Sequence, residues 1–543
     1  MDERISRRHA LQAGLGVGGA ALLGTGLSSI LAACGGSPSG TSGTGGGSAP
    51  KKFNFGLDNN VTHLDPGNMG LLAEFQVGVA LYDQLIWSIP DSGNTSFLPG
   101  LATSWTPSNG GATYTFKLRK DVKFHDGSSF NADAVKFNFD RIISGKLGSA
   151  SFLENYSHTN VVDDSTAEVN FSQPNASFLN NLTIPPLGIV SPAAVKKYGS
   201  GFNLHPVGSG PFSFVSFTSG EQVVLARNPD YKWGPSVLGL AGPARIQQLT
   251  FRIIEESATQ ASALQTGELN VAYDLDTADV VSLTKGGSYV KDIRSIPGEP
   301  VGFTFNIKKA PTDELAVRQA VSYGTNKPAL IKTLYNDLYE PAYSVMSSTT
   351  PGYDSTEFYP YNPAKAKSLL DSAGWAMGSG GVREKNGVKL SLSWLMPIGF
   401  GNPQPLAELI AAQLQQIGVA SSIAAAASPG VFTEIDDYVM NLSYVFYQNP
   451  DPSFLNLRYA CAALKGGNVA DYCTTSMDGM LNAANANTNA TARYAEYKKI
   501  QQILMAQDAI MLPIFNNAAS FVYSKSLKGL RYNNIQLAMF NAI

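Results

Sequence analysis

The sequence predicts an α/β protein folded into at least two lobes, and three observations carry that expectation. Its 543 residues exceed what one hydrophobic core supports, since single cores stop growing near ~250–300 residues. Strand and helix patterns alternate along most of the chain, the rhythm of β-α-β units with largely parallel sheets. The third observation is local: the stretch Thr113 to Arg141 reads as strand, turn and helix. Tyr114, Phe116 and Leu118 point to one face of a half-buried strand, and Thr115, Lys117 and Arg119 to the other. His125-Asp126-Gly127 supplies turn chemistry. Asn131 then caps a helix on which Val135, Phe139 and Ile142 recur at spacings of four and three.

The N-terminal fifty residues read as export and tether. Ser6-Arg7-Arg8-His9-Ala10-Leu11 has the form of a twin-arginine signal, an apolar run follows, and Leu31-Ala32-Ala33-Cys34 has the form of a bacterial lipobox. Cys34 is therefore the expected lipidated residue, which places the protein outside the cytoplasm on the outer face of the cell membrane. Gly14, Gly16 and Gly19 match G-x-G-x-x-G, but no strand precedes them and the dinucleotide reading fails. Gly35 to Pro50 is almost wholly Gly, Ser, Thr and Pro, a flexible tether of roughly 20–24 Å.

Elements follow in order from Phe53. Phe53, Phe55 and Leu57 alternate as a strand, and so does Thr166 to Phe171. Pro185-Pro186 is read as a crossing between lobes. Gly208 and Gly210 mark tight backbone turns and not a phosphate cradle, because no Lys-Ser/Thr follows. A helix is expected from Glu256 to Thr266, stopped by Gly267. Asn362-Pro363 opens another that Gly374 ends. Leu390, Leu392 and Trp394 alternate as a strand, a helix spans Leu406 to Ile417, and a strand follows from Val419 to Ile423. A long amphipathic helix is expected over roughly Thr491 to Asp508.

The wording of Thr113–Arg141 resembles the signature of the family 5 extracellular solute-binding proteins of peptide-type ABC importers. Tyr114, Phe116, Leu118, Arg119, Val122, Lys123, Phe124, His125, Asp126, Gly127, Phe130, Ala132, Val135 and Phe137 stand where that family has those residues. Ala134 departs from it, where Asp commonly precedes the Val. Leu98 to Trp105, Val207 to Phe212, Arg227 to Tyr231 and Val317 to Val321 are similar to further family elements. The resemblance implies a two-lobed periplasmic-binding-protein fold of type II character with an extra third domain, and a ligand in the interlobe cleft. On it, residues 1–33 are a signal, 34–50 a tether, 51–81 with 187–300 and 511–543 lobe I, 82–186 the extra domain, and 301–510 lobe II.

The resemblance also points to a site. Family dipeptide binders set an Asp about three residues before a D-P element and an Arg after an M-P element. Those offsets land on Gln448 and Phe400, neither of which carries a charge for a peptide terminus. The expected pocket is therefore aromatic and largely neutral. Its candidates are Asn306, Trp394, Phe400, Tyr444, Phe446, Tyr447, Gln448 and Asn449, with Asp451 as the nearest carboxylate for an amine. Packing in a core would account for the aromatic residues equally well. The implied partners are a peptide or peptide-like solute, alternatively an oligosaccharide or other neutral solute, and the permease subunits of an ABC importer. The protein is expected to act as a monomer.

Composition argues against other classes. A formal net charge of −3, or 36 − 40 = −4 once residues 1–33 are removed, gives no electrostatic case for nucleic acid. No nucleophile elbow, phosphate loop or zinc helix occurs, so neither an enzyme nor a cofactor is expected. His125 beside Asp126 reads as a structural histidine at a turn. Cys461 and Cys473 are either a disulfide, worth ~3 kcal/mol, or two reduced buried thiols, and export favours the disulfide. No His lies near enough for a zinc site.

Overall fold

The computed structural model describes residues 51–91, 94–398, 403–427, 440–464, 466–533 and 537–538. Cys34 and Phe400 lie outside the described residues.

Two mixed sheets carry the architecture. The first holds seven strands in the order Tyr289–Ser295, Ala518–Ser524, Val271–Tyr273, Lys52–Leu57, Gln248–Ile253, Gln222–Arg227 and Phe212–Thr218. Only the two pairs flanking Lys52–Leu57 are parallel. The second holds five, in the order Ala420–Ala427, Ser391–Ile398, Leu442–Gln448, Gly298–Phe305 and Met511–Phe515, with the first three parallel and the last two antiparallel. The expectation of largely parallel sheets is thus corrected. A tight hairpin, such as the one joining Phe212–Thr218 to Gln222–Arg227, forces antiparallel pairing.

The chain crosses between the sheets twice, at Ile296-Pro297 and at Asn516-Asn517. The crossings are tied together, since the Ile296 amide donates to the Asn517 carbonyl at 2.7 Å. The Asn516 side chain accepts from the Ser348 amide at 3.0 Å. Met511–Phe515 pairs with Gly298–Phe305 in the second sheet, so the chain enters the first sheet again only at Ala518.

A third sheet, Ala102–Ser108, Thr113–Leu118, Thr166–Phe171 and Tyr156–Asp163 in that order, is antiparallel throughout. Tyr114, Phe116 and Leu118 are buried as their alternation predicts, and Val135, Phe139 and Ile142 bury one face of the helix Ala132–Ser144. The Asn131 side chain caps that helix by accepting from the Ala134 amide at 3.1 Å. Phe178 inserts among Tyr114, Phe116, Phe139 and Phe171, with ring centroids 4.7–6.0 Å away. These rings belong to the same hydrophobic core as Phe53, Phe55 and Phe251 of the first sheet. The extra domain and the first sheet are therefore one packed body. Pro185 packs inside that body against Gly78 and does not span the two large sheets.

His125 is a strut within this body. Burial lowers its pKa, so the ring is neutral, and Nε2 donates to the Gly210 carbonyl at 3.0 Å. Gly208 and Gly210 are glycine because a Cβ on either would fall 2.1 and 2.6 Å from the backbone of Leu81. Elsewhere the predicted helices appear as Ser257–Gln265, Pro363–Ser372 and Gln404–Gln415. The last long helix runs Ala490–Gln502 and then widens into a π-turn, Ile503–Gln507. Among the described residues no helix is long and apolar enough to cross a membrane.

Candidate functional site

In open α/β sheets, ligands lie beyond the carboxyl ends of the parallel strands. In the first sheet those ends lead into Asp58, Ile254 and Asp274. In the second they are Ile398, Ala427 and Gln448. Register brings both edges to the crossing. The Asp274 amide donates to the Ser520 carbonyl, three residues beyond Asn517, and Gln448 pairs with Gly298, one residue beyond Pro297.

Only part of the expected pocket gathers at that edge. Tyr447, half-buried Gln448 and buried Asn449 lie there, and the Asn449 amide donates to the Pro297 carbonyl at 3.1 Å. Tyr447 stacks over the Arg458 guanidinium at 5.2 Å, and Arg458 pairs with buried Glu299 at 2.8 Å. Burial raises the Glu299 pKa against the opposing pull of Arg458. Tyr444 and Phe446 share the opposite face of their strand, half-buried, with Tyr444 edge-on to Phe303 at 5.7 Å.

Two candidates sit elsewhere. Trp394 is fully buried in mid-strand, edge-on to Phe303 at 5.0 Å, as a core residue of the second sheet. Asn306 follows the far end of Gly298–Phe305, about 20 Å from Gln448 by strand rise. Its polar atoms close a local turn: the side chain accepts from the Lys308 amide and the carbonyl from Thr312 Oγ1. The period-two pattern identified these strands but not which end of each one meets the cleft.

Asp451 is already occupied. It is fully buried, and Arg493 grips it with Nη2 at 2.6 Å from Oδ1 and Nη1 at 2.8 Å from Oδ2. The Ser453 amide donates to Oδ1 and Asn180 Nδ2 to Oδ2, at 2.8 and 2.6 Å. Burial alone would raise this carboxyl, but Arg493 and the two further donors outweigh it and hold the pKa below its ordinary value. No acceptor direction is left for an incoming amine.

Two carboxyls that face no cation among the described residues lie on the other edge. Burial, and after it the Asp274 charge, pushes the Asp58 carboxyl up to about 8, and burial pushes Asp274 up to about 6. Asp274 is exposed to solvent at this edge, and its upward shift is the smaller of the two. Asp58 Oδ1 is buried without a protein partner. Reading the residue after each parallel strand as a site candidate would have found both. Cys461 and Cys473 are joined as a disulfide, whose loop supplies the Gly467 carbonyl to Arg458 at 3.1 Å. Among the described residues no group of acids, His and Cys forms a metal site.

The model of the bacterial extracellular solute-binding proteins, family 5, matches residues 96–465, more than half of the chain. The chain belongs to this family. Family 5 solute-binding proteins are transport binding proteins and not enzymes, in agreement with the missing nucleophile. The chain is 28% identical over 496 residues to the glutathione-binding protein GsiB of Escherichia coli O1:K1, covering 89% of this chain and 92% of the relative. It is 31% identical over 477 residues to the di/tripeptide-binding protein 1 of Pseudomonas aeruginosa, covering 81% and 83%. Among solved structures, NikA of Brucella suis in complex with Fe(III)-EDTA superposes with a TM-score of 0.77 at 26% identity, covering 89% of this chain and 97% of that one. The dipeptide-binding protein of a Pseudoalteromonas species in complex with Met-Leu shares the fold, with a TM-score of 0.73 at 23% identity and coverage of 90% and 99%. As a family 5 protein, the chain has a two-lobed mixed α/β fold, here called lobe I for the first sheet and lobe II for the second, joined through Ile296-Pro297 and Asn516-Asn517.

Proposed function

We propose that this protein is a lipid-anchored extracytoplasmic receptor that closes on a peptide or peptide-like solute carrying a free amine and delivers it to an ABC permease. The observation that carries the reading is the Asp58–Asp274 pair at the carboxyl edge of lobe I. A buried acid without a cation is stabilised by one that arrives. The amine anchor thus moves from lobe II, where Gln448 is neutral, to lobe I. Gln448, Asn449 and Tyr447 supply neutral hydrogen bonds and an aromatic face from lobe II. The names of the relatives support a peptide over a sugar. Cys34 is the residue we assign to the anchor, and the receptor acts as a monomer without a cofactor.

Calorimetry with Met-Leu, glutathione, their N-acetylated forms and cellobiose tests this reading. The free-amine compounds are expected to bind, and N-acetylation is expected to weaken binding at least tenfold. Affinity should rise from pH 5 to pH 7 as Asp274, raised to about 6, ionises. Equal binding of acetylated and free peptides, or binding of cellobiose alone, would refute the amine anchor.

A further inference from the structure

We propose that Asn180 is a positioning residue that latches the cleft shut, by completing the coordination of the Asp451–Arg493 pair from the opposite lobe. The proposal goes beyond the reading of the solute and holds whichever compound occupies the cleft.

The two sides of the contact belong to different bodies. Asn180 sits on the short helix Phe178–Asn181, whose Phe178 is buried in the core shared by lobe I and the extra domain, so Asn180 travels with lobe I. Asp451 follows the lobe II strand Leu442–Gln448, and Arg493 lies on the helix Ala490–Gln502, which packs on lobe II through Tyr497 and Ile500. All three side chains are at least 97% buried when the contact is made, at 2, 0 and 2% exposure. A second bond lies beside it: the Ala176 amide donates to the Asn485 carbonyl at 3.0 Å. Gly111 of the extra domain comes so close to Thr488 that a Cβ there would fall 2.2 Å from its Cγ2.

The chemistry suits a contact that must open and close. Arg493 satisfies Asp451 inside lobe II in either state, so opening leaves no bare charge. What changes is one Oδ2 direction, which takes Asn180 when closed and water when open. A neutral amide donor makes this bond worth about 10- to 100-fold in the closed-to-open ratio, within reach of a reversible hinge. The lever is supported from behind. Tyr114 Oη donates to the Asn175 carbonyl at 2.8 Å, and the Asn175 amide donates to the Gly111 carbonyl at 3.0 Å, so the signature strand holds the loop that carries Ala176 and Asn180. On the other side, Asn449 Oδ1 accepts from the Asp451 amide at 2.9 Å while its own amide reaches Pro297. One short loop therefore runs from the hinge through Gln448 and Asn449 to the latch.

Amide hydrogen exchange on the full-length protein tests the latch in wild type, Asn180→Ala and Asn180→Asp, each alone and with excess Met-Leu or glutathione. The expected result is protection of the Ala176 amide in wild type. It should fall at least tenfold in Asn180→Ala and further in Asn180→Asp, where a second carboxylate faces Asp451. Protection within both large sheets should stay unchanged and the melting temperature should fall by no more than about 3 °C, which separates a latch from a merely structural contact. Three results overturn the proposal: an Ala176 amide unprotected in every wild-type arm, unchanged protection in Asn180→Ala, or a loss of protection spread through lobe I. None depends on whether the calorimetric reading of the amine anchor succeeds.

Discussion

Asp83 in lobe I and Asp451 in lobe II are both fully buried, and they titrate in opposite directions. Asp83 receives three neutral donors, Tyr231 Oη at 2.8 Å, Trp233 Nε1 at 2.7 Å and Ser209 Oγ at 2.9 Å. Burial outweighs them and pushes its pKa up to about 6. Asp451 receives a bidentate guanidinium as well, and its pKa falls. Burial is therefore not the deciding quantity; the charge of the partner is. The difference also fits their places. Asp83 joins parts of one packed body, whereas Asp451 meets a second one.

The largest expected effect comes from stripping the cation from this comparison. Arg493→Ala leaves Asp451 as a buried, unpaired charge, and chemical denaturation should show a loss of about 3–5 kcal/mol. The double variant Asp451→Leu/Arg493→Met should recover most of that loss, because an apolar pair removes both charges at once. If the double variant is as unstable as the single one, packing and not charge governs the site.

Next comes the pH dependence, where the two aspartates have opposite signs. The folded pKa of Asp83 is raised from 3.8 to about 6, so its ionisation works against folding. Stability from this group is complete below about pH 4 and declines by about 3 kcal/mol as pH rises through 6. Asp451 has a lowered folded pKa, so its contribution is complete above its unfolded value and is lost as pH falls through the folded one. Melting temperatures from pH 4 to pH 7 should fall less steeply in Asp83→Asn than in wild type. An unchanged slope would show that Asp83 does not titrate there.

The smallest expected effect is Tyr231→Phe. It removes one neutral donor from Asp83 and should cost about 1.5–3 kcal/mol at pH 7. The loss should shrink at pH 5, where the carboxyl is mostly protonated. A loss that is flat with pH would mean that the ring's packing carries the effect.

What the sequence made legible follows from range. The strand, turn, cap and helix of Thr113–Arg141 are set by neighbours within a few residues, and they appear as read. His125 was legible as structural because a turn is local. The role of Asp451 was not, since Asn180 and Arg493 lie 271 and 42 residues away and no local pattern joins them. Trp394 and Asn306 were misplaced for a related reason: alternation gives a strand its faces but not its ends. Asp58 and Asp274 were within reach once each parallel strand's exit was taken as a site.

The position of Ala518–Ser524 has a consequence for how the protein is made. It is not an edge strand; it lies between Tyr289–Ser295 and Val271–Tyr273, so the first sheet has a gap until a segment made after lobe II is supplied. A ribosome will have released nearly all of lobe II before lobe I can finish. Pairing across some 230 residues, as between Asp292 and Phe521, is slow to nucleate, and the first sheet stays open until Ala518–Ser524 arrives. A chain cut after Asn517 would keep both hinge crossings and still lack the strand that closes lobe I.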